Sequence, residues 1–171
     1  MAYRIYQIKI DKYKGSVGFS SFPGRQEVNG KVILSKSKLA EDLGKLKKFK
    51  PVMVISLIEA HEVEAGYLNK IQTFCSRIGA DWVHLPIADY SIPDTVFENG
   101  WLEHIQTLLR IIESSHNIFF HCKGGLGRSG LVAAKLLKNF GFENNTSIEM
   151  VRNARAGAVE TVEQENYIRD L

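Results

Sequence analysis

The sequence predicts an α/β fold: a mostly parallel central sheet of about four to five strands flanked by helices. Three observations carry this. Short β-branched runs such as Val52–Leu57 (VMVISL) read as strands buried on both faces. Stretches with apolar residues at helical spacing alternate with them. A glycine-rich loop, Gly124–Gly130, lies between one such run and one such stretch, the usual junction of a strand with a following helix in parallel sheets.

Tyr3–Ile10 (YRIYQIKI) alternates apolar and polar residues and reads as a strand with one exposed face. Gly15–Gly24 holds a short strand that ends in a Phe22-Pro23-Gly24 turn. Leu39, Leu43 and Leu46 recur at helical spacing, and Lys45, Lys47, Lys48 and Lys50 form the wet face of that helix. After the Val52–Leu57 strand, a helix is expected from about Val63 to Arg77, then a strand over Trp82–Ile87. Val96, Trp101, Ile105, Leu108, Leu109 and Ile112 make an apolar stripe on a long helix. A strand over Ile118–His121, a helix over Ser129–Phe140 and two more helices complete the chain. Thr146 with Glu149 three residues on reads as a capping box opening the first of those two.

The 171 residues suit a single domain spanning 1–171 with a substantial core. Hydrophobic residues make up 44% and charged residues 24%, which excludes a disordered chain. No apolar run approaches the length of a membrane span, and the first residues lack a secretory signal's apolar core, so a cytoplasmic location is the default, with secretion by a signal-less route left open. A net charge of +3 suits anionic ligands but falls short of a nucleic-acid signature. Two cysteines, Cys75 and Cys122, cannot build a disulfide framework, and five histidines without ligand spacing call for no metal and no other cofactor.

Gly125-Leu126-Gly127-Arg128-Ser129-Gly130 matches a dinucleotide fingerprint letter for letter. That motif needs a second strand ending in an acidic residue about twenty positions on, and the chain after Gly130 carries a helix start and no strand. Taken from Cys122, each position has a task. The thiolate is the nucleophilic form of cysteine, and a helix N-terminus with neighbouring cations favours it. Lys123, Gly124, Gly125, Leu126 and Gly127 supply backbone amides for an anion nest, and Arg128 can fork across two phosphoryl oxygens. Nucleophile and anion clamp share one loop.

The run His121-Cys122-Lys123-Gly124-Gly125-Leu126-Gly127-Arg128-Ser129 resembles the H-C-x-x-G-x-x-R-S signature of the cysteine-dependent tyrosine and dual-specificity phosphatases. Within that superfamily the chain is similar to the branch around the cyclin-dependent-kinase-associated phosphatase. Pro86-Ile87-Ala88-Asp89, the GGLGRS loop, a G-A-x-x-T-x-x-Q run from Gly157 to Gln164 and the early Phe22-Pro23-Gly24 carry that similarity. The resemblance implies a metal-independent protein phosphatase that hydrolyses phosphotyrosine, and phosphoserine or phosphothreonine, through a cysteinyl-phosphate intermediate. It implies Cys122 as nucleophile, Arg128 as phosphate clamp, Asp89 as general acid and base, Ser129 as a hydrogen-bond donor to the sulfur, and Gln164 as the group that positions water. It also implies that His121 tunes the nucleophile by fixing the loop backbone.

Other readings stay open beside these. Asp94 is the alternative acid, although it follows Pro93 and reads as a helix start. Ser129 also reads as a helix-start serine, His121 as a buried structural histidine, and Gln164 as an exposed polar residue on the last helix. Glu62 reads first as a solvated surface carboxylate and second as a brace for Arg128. Cys75 reads as a buried structural residue, with a redox disulfide to Cys122 as the lesser possibility. Phosphoinositide phosphatases related to tensin carry two lysines in this loop, where this chain has Lys123 and then Leu126, so a phosphoprotein is the expected partner and a lipid headgroup the alternative. A catalytically idle phosphoprotein-binding module is the rival from another class.

Overall fold

The computed structural model describes residues 3–171. Five strands form the central sheet in the order β1-β2-β7-β5-β6. They are β1 (Tyr6–Lys9), β2 (Ser16–Ser21), β5 (Pro51–Ser56), β6 (Asp81–His84) and β7 (Asn117–Cys122). Only the edge strand β1 runs antiparallel; β2, β7, β5 and β6 are parallel. The expected mostly parallel α/β sheet is therefore present with five strands.

Helices cover both faces because the central strands are apolar on both. Phe119 and Phe120 are adjacent in β7, so their side chains point to opposite sides of the sheet. Phe120 joins a core with Phe97, Trp101, Leu108, Leu131 and Val151 beneath α3 (Thr95–Glu113), α4 (Gly127–Asn139), α5 (Asn144–Ala154) and α6 (Val162–Arg169). Phe119 joins a second core with Leu46, Tyr67, Ile71 and Cys75 under α1 (Lys36–Phe49) and α2 (Tyr67–Ile78). Of the apolar stripe foreseen on α3, Trp101, Ile105, Leu108 and Ile112 enter the first core and Leu109 packs half-buried against it, whereas Val96, in the first turn, stays 76% exposed.

Several local expectations shift. β3 (Arg25–Val28) and β4 (Lys31–Leu34) form a separate two-stranded hairpin that the sequence reading passed over. Its two-residue loop, Asn29-Gly30, has positive φ at both positions, 50° and 74°, the geometry that favours this dipeptide in tight hairpins. The helix expected from Val63 begins at Tyr67 instead, after a 3₁₀ turn over Ala60–Glu62 and a left-handed Gly66. β6 stops at His84 rather than Ile87, since Pro86 has no N–H; Leu85 and Ile87 still donate to the Ser56 and Leu57 carbonyls. The Thr146–Glu149 capping box does not form. Helix α5 is capped three residues earlier, at Glu143, whose carbonyl accepts from the Ser147 N–H, which leaves Thr146 inside the first turn; the Asn144 side-chain amide donates to the Arg169 carbonyl beside it.

Candidate active site

Cys122 ends β7 at the carboxyl edge of the sheet and is 2% exposed. Parallel strands place their loops there, which is why a side chain at a strand terminus faces the crevice. The Gly125 N–H donates to the Cys122 Sγ at 3.1 Å, and the thiol donates to Ser129 Oγ at 3.5 Å. The loop turns tightly at Gly125, where φ is +74°; a Cβ there would lie 2.2 Å from the Ser20 and Ser21 backbone. Helix α4 starts at Gly127 with no side-chain cap, so its first amides stay available to an anion above the sulfur.

Arg128 is 2% exposed, and its guanidinium is held on several sides. It donates to both Glu62 carboxylate oxygens at 2.5 and 3.0 Å, to the Ile87 carbonyl at 2.9 Å and to Asp89 at 2.8 Å. Burial opposes its charge, yet the Glu62 hydrogen bonds and the neighbouring Cys122, Glu62 and Asp89 charges hold its proton more firmly than usual. Glu62 corrects the sequence reading. Its side chain is 4% exposed rather than solvated, because the 3₁₀ turn folds it inward and the Glu59 N–H donates to it at 2.9 Å. Burial alone would raise the Glu62 carboxyl, but Arg128, the Glu59 amide and Lys123 outweigh it and hold the group below its ordinary value.

Asp89 lies just past β6 and reaches the loop from the opposite wall. Besides Arg128 it meets Lys123, whose Nζ lies 3.3 Å away. Asp94 does something else: it is the N-cap of α3, its carboxylate accepting from the Phe97 N–H at 2.8 Å. Gln164 on α6 is fully buried, not an exposed helix residue. It donates to the Ser91 carbonyl, accepts from the Glu160 N–H, and packs so close to Gly127 that a Cβ there would come within 2.9 Å of its Oε1.

His121 is buried beneath the loop, its Nε2 2.6 Å from the Ser56 hydroxyl. Ser56 accepts from the Trp82 indole at 2.9 Å, which leaves its own proton for the histidine. Burial pushes the imidazole down to about 3, and the charges of His84 and Arg128 act in the same direction. His121 is therefore buried and neutral, its ring tied to β5 through Ser56. Cys75 sits in the other core, fully buried, and burial pushes its thiol up to about 12. Arg155 has no place in the sequence reading, yet it donates to the Gly125 carbonyl at 2.5 Å and fixes the crest of the loop.

Residues 31–168 match the family described as "PTP-SAK: Swiss Army Knife protein, DSP-PTPase phosphatase domain". The chain belongs to this family. Among curated relatives of this phosphatase domain, Cyclin-dependent kinase inhibitor 3 of Homo sapiens is 36% identical over 144 residues, covering 72% of this chain and 66% of the relative. The Rattus norvegicus protein of the same name is 29% identical over the same shares. The domain thus spans just under two thirds of the length of these relatives. A crystal structure of kinase associated phosphatase, with its catalytic-site cysteine replaced by serine, superposes with a TM-score of 0.78 at 23% identity, covering 99% of this chain and 94% of that one. Tk-PTP in its active form gives 0.66 at 26% identity, covering 91% and 90%. No helix among the described residues of the phosphatase domain is long and apolar enough to cross a membrane.

Proposed function

We propose that residues 1–171 act as one catalytic domain that hydrolyses phosphotyrosine, and phosphoserine or phosphothreonine, in proteins. The observation that supports this most is the Cys122 sulfur held at 3.1 Å by the Gly125 amide, with Arg128 in the first turn of the following helix and Asp89 reaching over to its guanidinium from the far wall. The Cys122 thiolate attacks phosphorus while the bond to the leaving oxygen breaks and Asp89 gives that oxygen a proton. Amides of residues 123–128 and the Arg128 guanidinium take the three phosphoryl oxygens, whose charge builds in the transition state. In the second step Asp89 takes a proton from water held near Gln164. The resulting hydroxide attacks phosphorus, the S–P bond breaks, and the Ser129 hydroxyl donates to the departing sulfur. Inorganic phosphate leaves and the thiolate is restored. The names of the relatives, a cyclin-dependent kinase inhibitor and a kinase associated phosphatase, favour a phosphorylated kinase as the protein substrate class.

The test is a panel of phosphotyrosine, phosphoserine and phosphothreonine peptides with phosphoinositides beside them. Phosphopeptide turnover is expected from the wild type. Cys122→Ser keeps phosphopeptide binding and loses turnover. Asp89→Ala lowers kcat by about 10²–10⁴-fold, the usual contribution of a placed proton donor. Asp94→Ala leaves kcat unchanged and costs about 1 kcal/mol of stability through the lost helix cap. Equal kinetic losses in the two aspartate variants would remove Asp89 from its role, and turnover confined to lipids would redirect the substrate.

A further inference from the structure

Between α1 and α2, on the sheet face opposite α3–α6, runs a groove of about 370 Å³. Leu39 and Leu43 line one wall and Phe74 the other, with Asn69 and Thr73 at the polar margin. Leu39 is 8% exposed, and Leu43 and Phe74 lie half-buried against the second core, so the apolar floor is recessed. Cations stand at both ends of each wall. Lys36 comes three residues before Leu39 and Lys47 four after Leu43, which puts all four on one stripe of α1. On α2, Lys70 and Arg77 bracket Phe74 at spacings of four and three and line the groove themselves.

Charge is unbalanced here. α1 with its cap Lys50, taken together with α2, carries eight cationic side chains and two anionic ones. The whole chain nets only +3, so the remainder of the molecule is net negative. Both anions are already engaged, Asp42 by Lys38 at 3.2 Å and Glu41 by Lys45 at 2.7 Å. Among the described residues, no carboxylate lies within 4 Å of Lys36, Lys47, Lys70 or Arg77, and all four are exposed. Helix stability accounts for only half of them. Lys47 and Arg77 sit in last turns, where the helix dipole favours a cation. Lys36 opens α1 and Lys70 closes the first turn of α2, where the dipole disfavours one, and neither first turn holds an acidic residue. An anionic partner would relieve that field.

A membrane surface is bound by apolar side chains that protrude, whereas these lie below a cationic rim. An apolar floor with charged margins instead fits an amphipathic helix laid lengthwise. Lys36 to Lys47 spans roughly 16 Å at about 1.5 Å per residue, three turns of such a helix. We infer that the α1–α2 groove docks an acidic amphipathic helix of a protein partner, its apolar side chains on the two leucines and Phe74 and its carboxylates on the four flanking cations. None of these residues belongs to the Cys122 loop or to its hydrogen-bond partners, so the docking site stands apart from the hydrolytic reading.

The probe is a helix-stabilised peptide of about a dozen residues with leucines at i, i+3, i+4 and i+7 and glutamates on both flanks. Beside it the full chain is titrated with the same peptide carrying Glu→Lys or Leu→Ala changes, and with vesicles of phosphatidylcholine and phosphatidylserine. The acidic peptide is expected to bind, to weaken as salt rises, and to shift the amide signals of Leu43, Thr73 and Phe74. Lys70→Glu/Arg77→Glu weakens it about tenfold, two attractive pairs having turned repulsive, and the Glu→Lys peptide now binds that variant in its place. Lys36→Glu/Lys47→Glu, the same reversal on the other wall, gives the same loss, and melting temperatures and phosphopeptide turnover stay at the parent's values in both. Absence of binding, equal binding of the Glu→Lys or Leu→Ala peptide to the parent chain, or an affinity indifferent to both reversals overturns the docking site. Vesicle binding without peptide binding also overturns it and assigns the lysines to a membrane surface.

Discussion

Arg128 shows what a single residue owes to its surroundings. A guanidinium 2% exposed is tolerable only because Glu62, Asp89 and the Ile87 carbonyl satisfy it. Glu62→Gln removes the main counter-charge and leaves the other two contacts, so a loss near the low end of the usual range, about 3 kcal/mol, is expected. Denaturant midpoints with and without the substitution measure it, and kcat/KM should fall with them as the clamp loses its orientation. The motif around Cys122 was legible because a dense run of glycines between a strand and a cationic helix start has few other uses. Glu62 was not. Its inward turn depends on the 3₁₀ geometry of Ala60–Glu62 and on Arg128 arriving from far along the chain, and neither is written in the local letters. Arg155 escaped notice for the same reason: its partner is a main-chain carbonyl thirty residues away.

Elements follow the sequence where burial dictates periodicity and depart from it where loops and caps decide. β5 and β7 were legible as apolar runs because parallel strands are covered on both faces. The β3–β4 hairpin is polar and outside the main sheet, so its apolar pattern is weak and the Asn29-Gly30 turn was its one clear signal. Within the loop, the positions are unequal. Gly125→Ala would press a methyl into the β2 backbone at a positive φ and is expected to destabilise by more than about 4 kcal/mol, the range reserved for severe strain or overpacking. Gly124→Ala meets nothing within 4 Å and should fold as the parent does. Thermal melts of the two variants distinguish them.

At the scale of the whole molecule, two cores meet across β7, and His121 sits between them under the loop. Its pKa is about 3 when folded against 6.5 in the open chain. Between those values the unfolded chain binds one proton more than the folded chain, so stability falls as pH drops below about 6.5 and levels off near 3. The slope is about 1.4 kcal/mol per pH unit for the one proton. His121→Asn should flatten that part of a plot of unfolding free energy against pH. The amides of residues 118–121, paired on both sides by β2 and β5, should be the last to exchange with deuterium.

The loop's many moorings have a wider meaning. β5 and β6 reach it through Ser56 and Trp82, the 3₁₀ turn through Glu62, the end of α5 through Arg155, and α6 through Gln164 packed against Gly127. Nearly every layer of the molecule therefore has a hand on one nine-residue ring. Fraying at any edge slackens it, so heat or urea should silence the protein in step with its cooperative collapse, and rate measurements become a gauge of architectural integrity.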